Sequence, residues 1–197
     1  FLPVTPTGIY VEQCLLNRLR ASTGIDALTP IHRIDRDTAG LIMFSVDPNT
    51  RGLYQQMFAE GTVRKLYHAV AATDDPDLEG RQWLIENRMA KAEQWFRMQI
   101  VEGEVNARST ARCLGVDEGR GLFELSPLTG KTHQLRVHMD SLGMPLENDR
   151  LYPDALPKAA DDYTRPLQLL ARQVAFTDPV TGEDRQFETT RMLNWPV

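Results

Sequence analysis

The sequence predicts an α+β fold, in which short strands follow one another and a few helices are segregated from them. Strand-like segments dominate residues 95–126 and the part after residue 167, whereas helical spacing is confined to a few places. Consecutive strands favour an α+β arrangement over a doubly wound parallel sheet. A content of 42% hydrophobic and 25% charged residues is ordinary for a globular domain, and it excludes a collagen, a coiled coil or wholesale disorder.

Two helices and two strands are predicted in the first part of the chain. Residues 8–22 place apolar side chains at helical spacing and predict an amphipathic helix. The apolar run at 41–46 is typical of a short buried strand. Asp47 and Pro48 are favourable residues at a helix start, so a second helix is expected after them. Residues 62–72 alternate in a way that predicts a strand.

The later elements are strands and one helix. Residues 132–142 carry apolar side chains at helical spacing and predict a helix that begins at Thr132 and stops at Gly143. The strands share apolar alternation, and turn-forming residues separate the members of each predicted hairpin. These predicted strands are 95–101, the hairpin 107–116 and 121–126, and the hairpin 167–177 and 184–190.

The charge distribution is compatible with a basic cleft on an acidic body. The net charge of −5 argues mildly against nucleic acid as a partner, since phosphate binders usually carry a basic surface. The acidic residues, however, are concentrated in stretches that look like loops, and basic residues come in local pairs elsewhere. Such an uneven distribution can create a local positive field that the net charge hides.

Several features indicate a cytoplasmic protein. The two cysteines, Cys14 and Cys113, cannot form a disulfide scaffold or a four-cysteine zinc site. No stretch approaches the roughly 18 continuous apolar residues of a membrane-spanning helix. Residues 1–4 lack the basic start of a signal peptide. They also lack an initiator methionine, so we expect the N terminus to be trimmed.

The first segment that can carry chemistry is HRIDRDTAG at residues 32–40, in which Arg33 and Arg36 bracket Asp35. One interpretation is a surface loop with exposed ion pairs, which contribute little to stability. The other is a carboxylate held ionised at the end of a strand, because a nearby arginine lowers an aspartate pKa by about 1–3 units. Such a carboxylate suits a nucleophile or a base.

The second segment is GKTHQLRVH at residues 130–138. It resembles the end of a phosphate-binding loop, but that motif requires a glycine where this chain has Leu125. His133 and His138 do not share a helix face, which argues against a two-histidine metal site. His138 is interpreted as a structural histidine, whereas Arg136 can point back towards a site.

The third segment is RKLYHAV at residues 64–70, which contains Tyr67. A tyrosine in a strand most often packs in the core or against a neighbouring strand. If Tyr67 faces a cleft instead, its ring can stack on a base and its hydroxyl can take part in proton transfer. The residues alone leave both interpretations open.

Together these segments resemble the RluA family of pseudouridine synthases. HRIDRDTAG, RKLYHAV, GKTHQLRVHM and MPLENDRLYP occur in the order and spacing of that family, from about Phe1 to about Thr190. The resemblance implies a curved, mostly antiparallel mixed sheet with flanking helices. It also implies an isomerase that acts on a flipped uridine in ribosomal or transfer RNA, with no metal, no organic cofactor and no membrane partner. It leaves the oligomeric state open.

The resemblance also implies roles for individual residues. Asp35 matches the catalytic aspartate, Tyr67 the active-site tyrosine, and Arg136 the arginine that pairs with the aspartate. Arg33 matches a residue that can fill the gap left by a flipped base. The polar residues of these motifs that are expected to contact RNA are His32, Arg33, Arg36, Thr38, Lys65, Lys131, Thr132, His133 and Gln134. We expect residues 1–197 to form one catalytic domain without the S4-type RNA-binding domain of some members.

The chain departs from the family pattern at two positions. Asn148 replaces a glycine that family members commonly carry before the aspartate of MPLENDRLYP. Asparagine tolerates a left-handed backbone better than most residues, so we expect the turn to survive. Leu170 stands where the family commonly has a histidine. This second difference points to a distinct subgroup and leaves the identity of the RNA open.

Two routes and two rival functions stay open at this point. Asp35 would either attack C1′ of the ribose or remove a proton from C2′. One rival is an RNA-binding module with the same fold and no chemistry. The other is a carboxylate-dependent nucleosidase or glycosidase, which needs a second carboxylic acid about 5–10 Å away. Asp37 and Asp149 are the candidates for that acid.

Overall fold

A computed structural model describes residues 1–8, 10–157 and 159–196. The helices are α1 (Leu15–Thr23), α2 (Arg51–Ala59) and α3 (Gln134–Ser141). The first strands are β1 (Thr29–Pro30), β2 (Ala39–Gly40), β3 (Phe44–Ser45), β4 (Arg64–Ala72) and β5 (Gln82–Lys91). The later ones are β6 (Met98–Val101), β7 (Ala107–Asp117), β8 (Arg120–Pro127), β9 (Leu169–Thr177) and β10 (Asp184–Glu188). None of the helices among the described residues has the length and apolar character needed to cross a membrane.

One mixed sheet organises the fold. Its main path runs β10–β9–β4–β8–β7–β5–β6, and the short strand β2 pairs with β9 at one side of this path. Every pair along the path is antiparallel, whereas β2 and β9 are parallel. Strands β1 and β3 form a separate two-stranded sheet. The predicted α+β class with a mostly antiparallel mixed sheet is therefore confirmed.

The main core lies between α3 and one face of the sheet. Leu135 and Met139 of α3 pack in the same buried cluster as Phe123 and Leu125 of β8 and Ala111 of β7. Phe123 and Met139 are fully buried, so burial of these side chains is a large favourable term that holds α3 on the sheet. This packing sets the position of the polar residues on the first turn of α3.

The two predicted hairpins are present. β7 and β8 pair around a two-residue turn whose residues, Glu118 and Gly119, have φ values of 45° and 75°. Left-handed residues at both turn positions match the twist of the flanking strands, which is why a glycine-rich turn is favourable here. β9 and β10 pair with Thr177 opposite Asp184, as expected for strands that flank a turn.

Each helix begins later than predicted. α1 begins at Leu15 rather than near residue 8, because the backbone N–H groups of Leu15 and Leu16 bond to the carbonyls of Pro3 and Val4. α2 begins at Arg51, and Asp47 instead accepts a hydrogen bond from the N–H of Asn49. The partners of these groups come from chain segments that local spacing does not reveal.

The helix predicted at 132–142 also begins later, at Gln134. His133 occupies the position before the helix with a left-handed φ of 53°, and it makes no side-chain cap. Thr132 was therefore the wrong cap residue. The predicted stop at Gly143 is confirmed, since its φ is 75° and its N–H bonds to the carbonyl of Asp140.

Two strand predictions need correction. Only Phe44–Ser45 of the predicted strand 41–46 is a strand, because the backbone of the preceding residues bonds to two different segments, at Ala171 and at Ile31 and His32. Strand β5 was not predicted at all. Its inward-facing residues, Ile85 and Met89, are buried, but the three polar residues between them and the exposed apolar Leu84 obscure the alternation in the sequence.

Gly40 fixes how closely the HRIDRDTAG segment approaches the sheet. Its φ is 109°, and a Cβ atom built there would lie 2.3 Å from the carbonyl oxygen of Ala171. That oxygen accepts the N–H of Leu41 at 3.0 Å, and the parallel pairing of β2 with β9 depends on this contact. The residue is therefore glycine because a side chain would push β2, and the loop before it, away from β9.

We predict that Gly40→Ala lowers the free energy of unfolding by roughly 3 kcal/mol or more, because it combines backbone strain with a clash against backbone atoms. Urea denaturation of the variant and the parent chain measures the difference. Gly130→Ala is the matched control, since a Cβ at Gly130 meets nothing within 4 Å and its φ is not left-handed. Equal stability of the two variants would contradict this account of β2.

Candidate active site

Three segments bring Asp35, Tyr67 and Arg136 together beside the sheet. Asp35 lies in a turn before β2, where its carbonyl oxygen accepts the N–H of Thr38 at 3.1 Å, a bond typical of a β-turn. Tyr67 belongs to β4, a central strand of the sheet, and Arg136 to the first turn of α3. The three predicted catalytic residues thus come from separate parts of the chain.

Arg136 is a buried cation bound to two carboxylates. Its Nε and Nη2 donate hydrogen bonds to Asp149 at 2.7 and 2.6 Å, and its Nη1 lies 3.5 Å from Oδ2 of Asp35. The Arg136 side chain is 2% exposed. Burial by itself lowers the pKa of Arg136, but the hydrogen bonds and charge of Asp149, and then the charge of Asp35, raise it overall. Arg136 therefore stays charged throughout the physiological range.

The carboxylates of Asp149 and Asp35 differ in solvent exposure and in the number of hydrogen bonds that they accept. Asp149 is 0% exposed, and its Oδ1 also accepts the backbone N–H groups of Leu151 and Tyr152 at 2.8 and 3.2 Å. Asp35 is 24% exposed and touches Arg136 at the longer distance only. Asp149 is thus occupied in binding Arg136, whereas the Asp35 carboxylate remains partly accessible from solvent.

Tyr67 packs its ring against the main core cluster and is partly exposed. Burial raises the pKa of its hydroxyl, and the negative charge of Asp35 raises that pKa further. Its hydroxyl is therefore protonated at neutral pH. A protonated tyrosine with a partly exposed ring can stack on a base and donate a hydrogen bond, but it does not start as a base.

His133 lies next to this group at the N-terminal end of α3. Its Nδ1 is 3.0 Å from the hydroxyl of Tyr152, which also accepts the N–H of Met98 at 2.8 Å. The Tyr152 ring lies 5.3 Å from the Arg136 guanidinium, so one tyrosine contacts both residues. Burial lowers the pKa of His133, with opposing effects from the nearby Asp35 and Arg136 charges. His133 is therefore expected to be neutral at pH 7.

Two residues of the predicted RNA-contacting set make mainly internal contacts. The Gln134 amide donates to the carbonyl of Arg108 and accepts from Thr129 and from the N–H of Lys131, which anchors the loop before α3. His32 stacks on Phe58 with ring centroids 4.6 Å apart, and its Nε2 accepts the N–H of Met43. Burial, helped by the Lys65 charge, lowers the pKa of His32 to about 4.

The other predicted contacts differ in how accessible they are from solvent. Arg33, Lys131 and Thr132 are exposed, Lys65 is partly buried with a pKa lowered by burial, and Thr38 is buried. Arg36 forms an ion pair with Asp161 at 2.8 Å. Contact with RNA stays a prediction for all of these residues.

Sequence reasoning did not assign Asp149 and Tyr152 to the centre around Arg136. Asp149 was considered only as a second acid for a hydrolase, and Tyr152 was not singled out. The available signal was an aspartate followed by a tyrosine three residues later, in a segment of turn-forming residues. Nothing in that segment shows that Arg136 is the partner. The neighbouring Asn148 has φ 62°, which confirms that asparagine supports the left-handed turn.

The structure also tests two interpretations of the sequence, one about metal ligands and one about His138. Within residues 1–8, 10–157 and 159–196, no group of three or more His, Cys, Asp or Glu side chains is placed to hold a metal ion. His138 is fully buried, its Nε2 lies 3.3 Å from Oδ1 of Asn87, and burial lowers its pKa to about 4. The interpretation of His138 as structural is confirmed.

The arrangement favours a reaction that uses the Asp35 carboxylate alone over a hydrolysis that uses two carboxyl groups. A glycosidase-type hydrolase needs one protonated and one ionised carboxyl group. Asp149 is 0% exposed and its carboxylate is occupied by Arg136, so a substrate cannot reach it. Asp37 lies 2.9 Å from the Arg36 guanidinium and is occupied by it. Neither candidate for the second acid therefore presents a free carboxyl group.

Comparison with known proteins gives a family-level match. A family described as RNA pseudouridylate synthase matches residues 1–141. A Haemophilus influenzae protein named as an uncharacterized RNA pseudouridine synthase is 30% identical over 160 residues, covering 80% of this chain and 69% of that protein. The Saccharomyces cerevisiae mitochondrial tRNA pseudouridine(32) synthase is 28% identical over 156 residues, covering 77% of this chain and 33% of that protein.

The fold is also shared with a solved structure. The human RNA pseudouridylate synthase domain containing 1 protein superposes with a TM-score of 0.73 at 21% identity, covering 95% of this chain and 77% of that one. The curated relatives are often longer, since the chain spans between 33% and 69% of their lengths. The match therefore describes a shared domain.

We predict that Asp149→Asn lowers the free energy of unfolding by about 3–5 kcal/mol, because it leaves the buried Arg136 charge without its main partner. Asp35→Asn should cost less than about 1 kcal/mol, since Asp35 is partly exposed and contacts Arg136 at 3.5 Å. Urea denaturation of the two variants checks the contrast. A similar loss in both would mean that Asp149 is not the residue that holds Arg136.

Proposed function

This chain belongs to the RNA pseudouridylate synthase family, and we propose that it isomerises one uridine of an RNA to pseudouridine with Asp35 as the catalytic carboxylate. The observation that carries this proposal is the 24% exposed Asp35 carboxylate, which lies 3.5 Å from a buried Arg136 that Asp149 holds in place. Tyr67 lies near enough for the Asp35 charge to act on its hydroxyl. We take residues 1–197 as one catalytic domain.

The reaction breaks the N1–C1′ bond of a uridine, turns the uracil and joins it again through C5, so an isomer is formed without hydrolysis. Asp35 acts on the ribose, either by attacking C1′ or by removing the proton at C2′, and both routes suit an ionised carboxylate. The Arg136 guanidinium orients the Asp35 carboxylate from 3.5 Å away. The hydrogen displaced from C5 and the proton taken up at N1 balance, so neither a metal nor an organic cofactor is needed.

Tyr67 acts on the detached uracil in this proposal. Its partly exposed ring is available for stacking, and its raised hydroxyl pKa keeps it a hydrogen-bond donor at neutral pH. A phenol in this state holds the free base near Asp35 while it turns. Removal of the C5 proton by Tyr67 would first require that the hydroxyl lose its own proton.

The target uridine has to leave its stack, because C1′ and C5 cannot be worked on inside a helix. Unstacking costs a few kcal/mol and is least for a loop or bulged nucleotide. Arg33 is exposed two residues before Asp35, where it can occupy the space that the extruded base leaves. The exposed Lys131 and Thr132 lie before α3 and are proposed to contact the RNA backbone.

We propose ribosomal or transfer RNA as the substrate class. The yeast relative is named for a transfer RNA, which supports that class. We also propose the cytoplasm as the compartment, because Cys14 and Cys113 are both free and buried thiols, which a reducing environment preserves. Mapping pseudouridine in total RNA from cells with and without the gene identifies the RNA and the position.

We predict that Asp35→Asn lowers pseudouridine formation by at least about 10³-fold, because the amide cannot attack C1′ or take a proton from C2′. The measurement is pseudouridine mapping in gene-deleted cells that carry the variant, with the parent gene as reference. RNA binding that persists without any isomerisation by the parent chain would favour the RNA-binding module. Release of free uracil by the parent chain would favour the nucleosidase.

We predict that Tyr67→Phe keeps RNA binding and lowers turnover by about 10²-fold or more, because it retains the ring and removes the hydroxyl hydrogen bond to the detached base. Single-turnover rates on the mapped RNA, measured at saturating protein, report this step. A near-normal rate would confine Tyr67 to stacking.

A further inference from the structure

The second arginine of the HRIDRDTAG segment is bound by a carboxylate from a distant loop. We propose that Arg36 and Tyr10 form a receptor for a backbone phosphate of the RNA, and that Asp161 occupies this receptor in the free protein. The inference rests on the proposed function, because it assumes that an RNA strand enters the cleft at Asp35. It adds a step in which the RNA displaces an internal anion.

Both terminal nitrogens of the Arg36 guanidinium are bound by side chains. Its Nη1 donates to Oδ2 of Asp161 at 3.0 Å and to the hydroxyl of Tyr10 at 2.9 Å. Its Nη2 donates to Oδ1 of Asp161 at 2.8 Å and lies 2.9 Å from Oδ1 of Asp37. The rings of Phe1 and Tyr10 lie within 6 Å of it, at 5.7 and 5.4 Å. The guanidinium is therefore held in one orientation.

The geometry of this pair suits a phosphate as well as a carboxylate. Two parallel N–H···O bonds from one guanidinium are the arrangement that arginine uses for both groups. Asp161 thus fills the position that two phosphate oxygens would take, and the Tyr10 hydroxyl is a further hydrogen-bonding group beside it. The Arg36 side chain is 28% exposed, so the receptor can be reached from solvent.

The receptor lies where an RNA strand must pass. Arg36 directly follows Asp35, and the turn that fixes Asp35 also fixes the backbone of Arg36, whose carbonyl accepts the N–H of Leu2. A uridine whose ribose reaches Asp35 brings its flanking phosphates within one nucleotide of that point. Arg36 is thus close to the backbone of any RNA that is correctly placed for the reaction.

Asp161 belongs to a loop that lies over one side of the cleft. This loop, residues 153–157 and 159–166, contains no helix or strand among its described residues, and we call it the acidic loop. Asp162 and Arg165 of the acidic loop line the same small cavity as Arg136 and Asp37. The Tyr163 ring also rests edge-on against Phe1, with centroids 5.1 Å apart.

Electrostatic repulsion explains why the Asp161 carboxylate and an RNA phosphate would not occupy the Arg36 site together. A phosphate at Arg36 would lie beside the carboxylate of Asp161, which now binds both terminal nitrogens of the guanidinium, and like charges at this distance repel. The RNA therefore binds best when Asp161 leaves, and its departure also withdraws the acidic loop from the Arg136 side of the cleft. The free protein keeps its arginine paired, and the RNA replaces that partner.

The test measures RNA binding in a chain that cannot react. The Asp35→Asn protein is titrated into a short fluorescein-labelled RNA stem–loop with unpaired uridines, with and without Asp161→Asn. We expect Asp161→Asn to tighten binding about fivefold, because the RNA no longer competes with a carboxylate for Arg36. Asp161→Ser serves as a second variant, and thermal unfolding verifies that each protein is folded.

Asp162→Asn is the matched control, since it removes the same charge one residue away. Asp162 bonds to Thr164, both to its hydroxyl and to its N–H, and not to Arg36. An equal effect of the two variants would mean that RNA affinity responds only to the net charge of the loop, and it would overturn the receptor. Weaker binding by Asp161→Asn would overturn it too.

A second variant pair tests whether Asp161 acts through Arg36. In the Arg36→Gln background, Asp161→Asn should leave RNA affinity unchanged, because the site of competition is gone. Hydrogen exchange of the acidic loop should also quicken when RNA binds. Because binding is measured without catalysis, an absence of isomerase activity in the parent chain would reject the proposed function. An unchanged RNA affinity of the Asp161→Asn variant in the chain that keeps Arg36 would reject the receptor alone.

Discussion

The buried Arg136 guanidinium is the constraint on which the site depends. A cation that is 2% exposed needs anionic partners, since an unpaired buried charge is strongly unfavourable. Asp149 accepts two short hydrogen bonds from Arg136. For this contact to form, the segment after α3 has to turn back across the first turn of that helix. The left-handed Asn148 makes that turn possible. The position of Arg136, and with it the environment of Asp35, follows from this pairing.

The two carboxylates that contact Arg136 differ in how completely they are bound. Asp149 is saturated by an arginine and two backbone N–H groups, whereas Asp35 is partly exposed with a single longer contact to the same arginine. A saturated carboxylate stabilises structure, and an incompletely bound one remains available to substrate. Arg36 is likewise bound by a carboxylate, that of Asp161, which belongs to an irregular loop. An acidic chain with a net charge of −5 can thus still hold arginines in fixed positions beside Asp35.

Fold prediction succeeded where the signal was local. The β7–β8 hairpin, the strand β4 and the helix α3 follow from alternation, turn residues and helical spacing within a few neighbours. It failed where distant groups complete the backbone hydrogen bonds. Pro3 and Val4 set the start of α1, and Ala171 receives the N–H of Leu41 within the predicted strand 41–46. Strand β5 was missed because its buried residues are interrupted by charged ones.

The sequence by itself determined the fold class, most of the elements and, through its motifs, the residues Asp35, Tyr67 and Arg136 that the chain folds together. Tertiary structure alone decided that Asp149 holds Arg136, that Gln134 anchors the loop before α3, and that Asp161 binds Arg36. The reason is that ion pairs between residues 13 and 125 positions apart leave no periodic or local signature. They are set by which surfaces the hydrophobic core brings into contact.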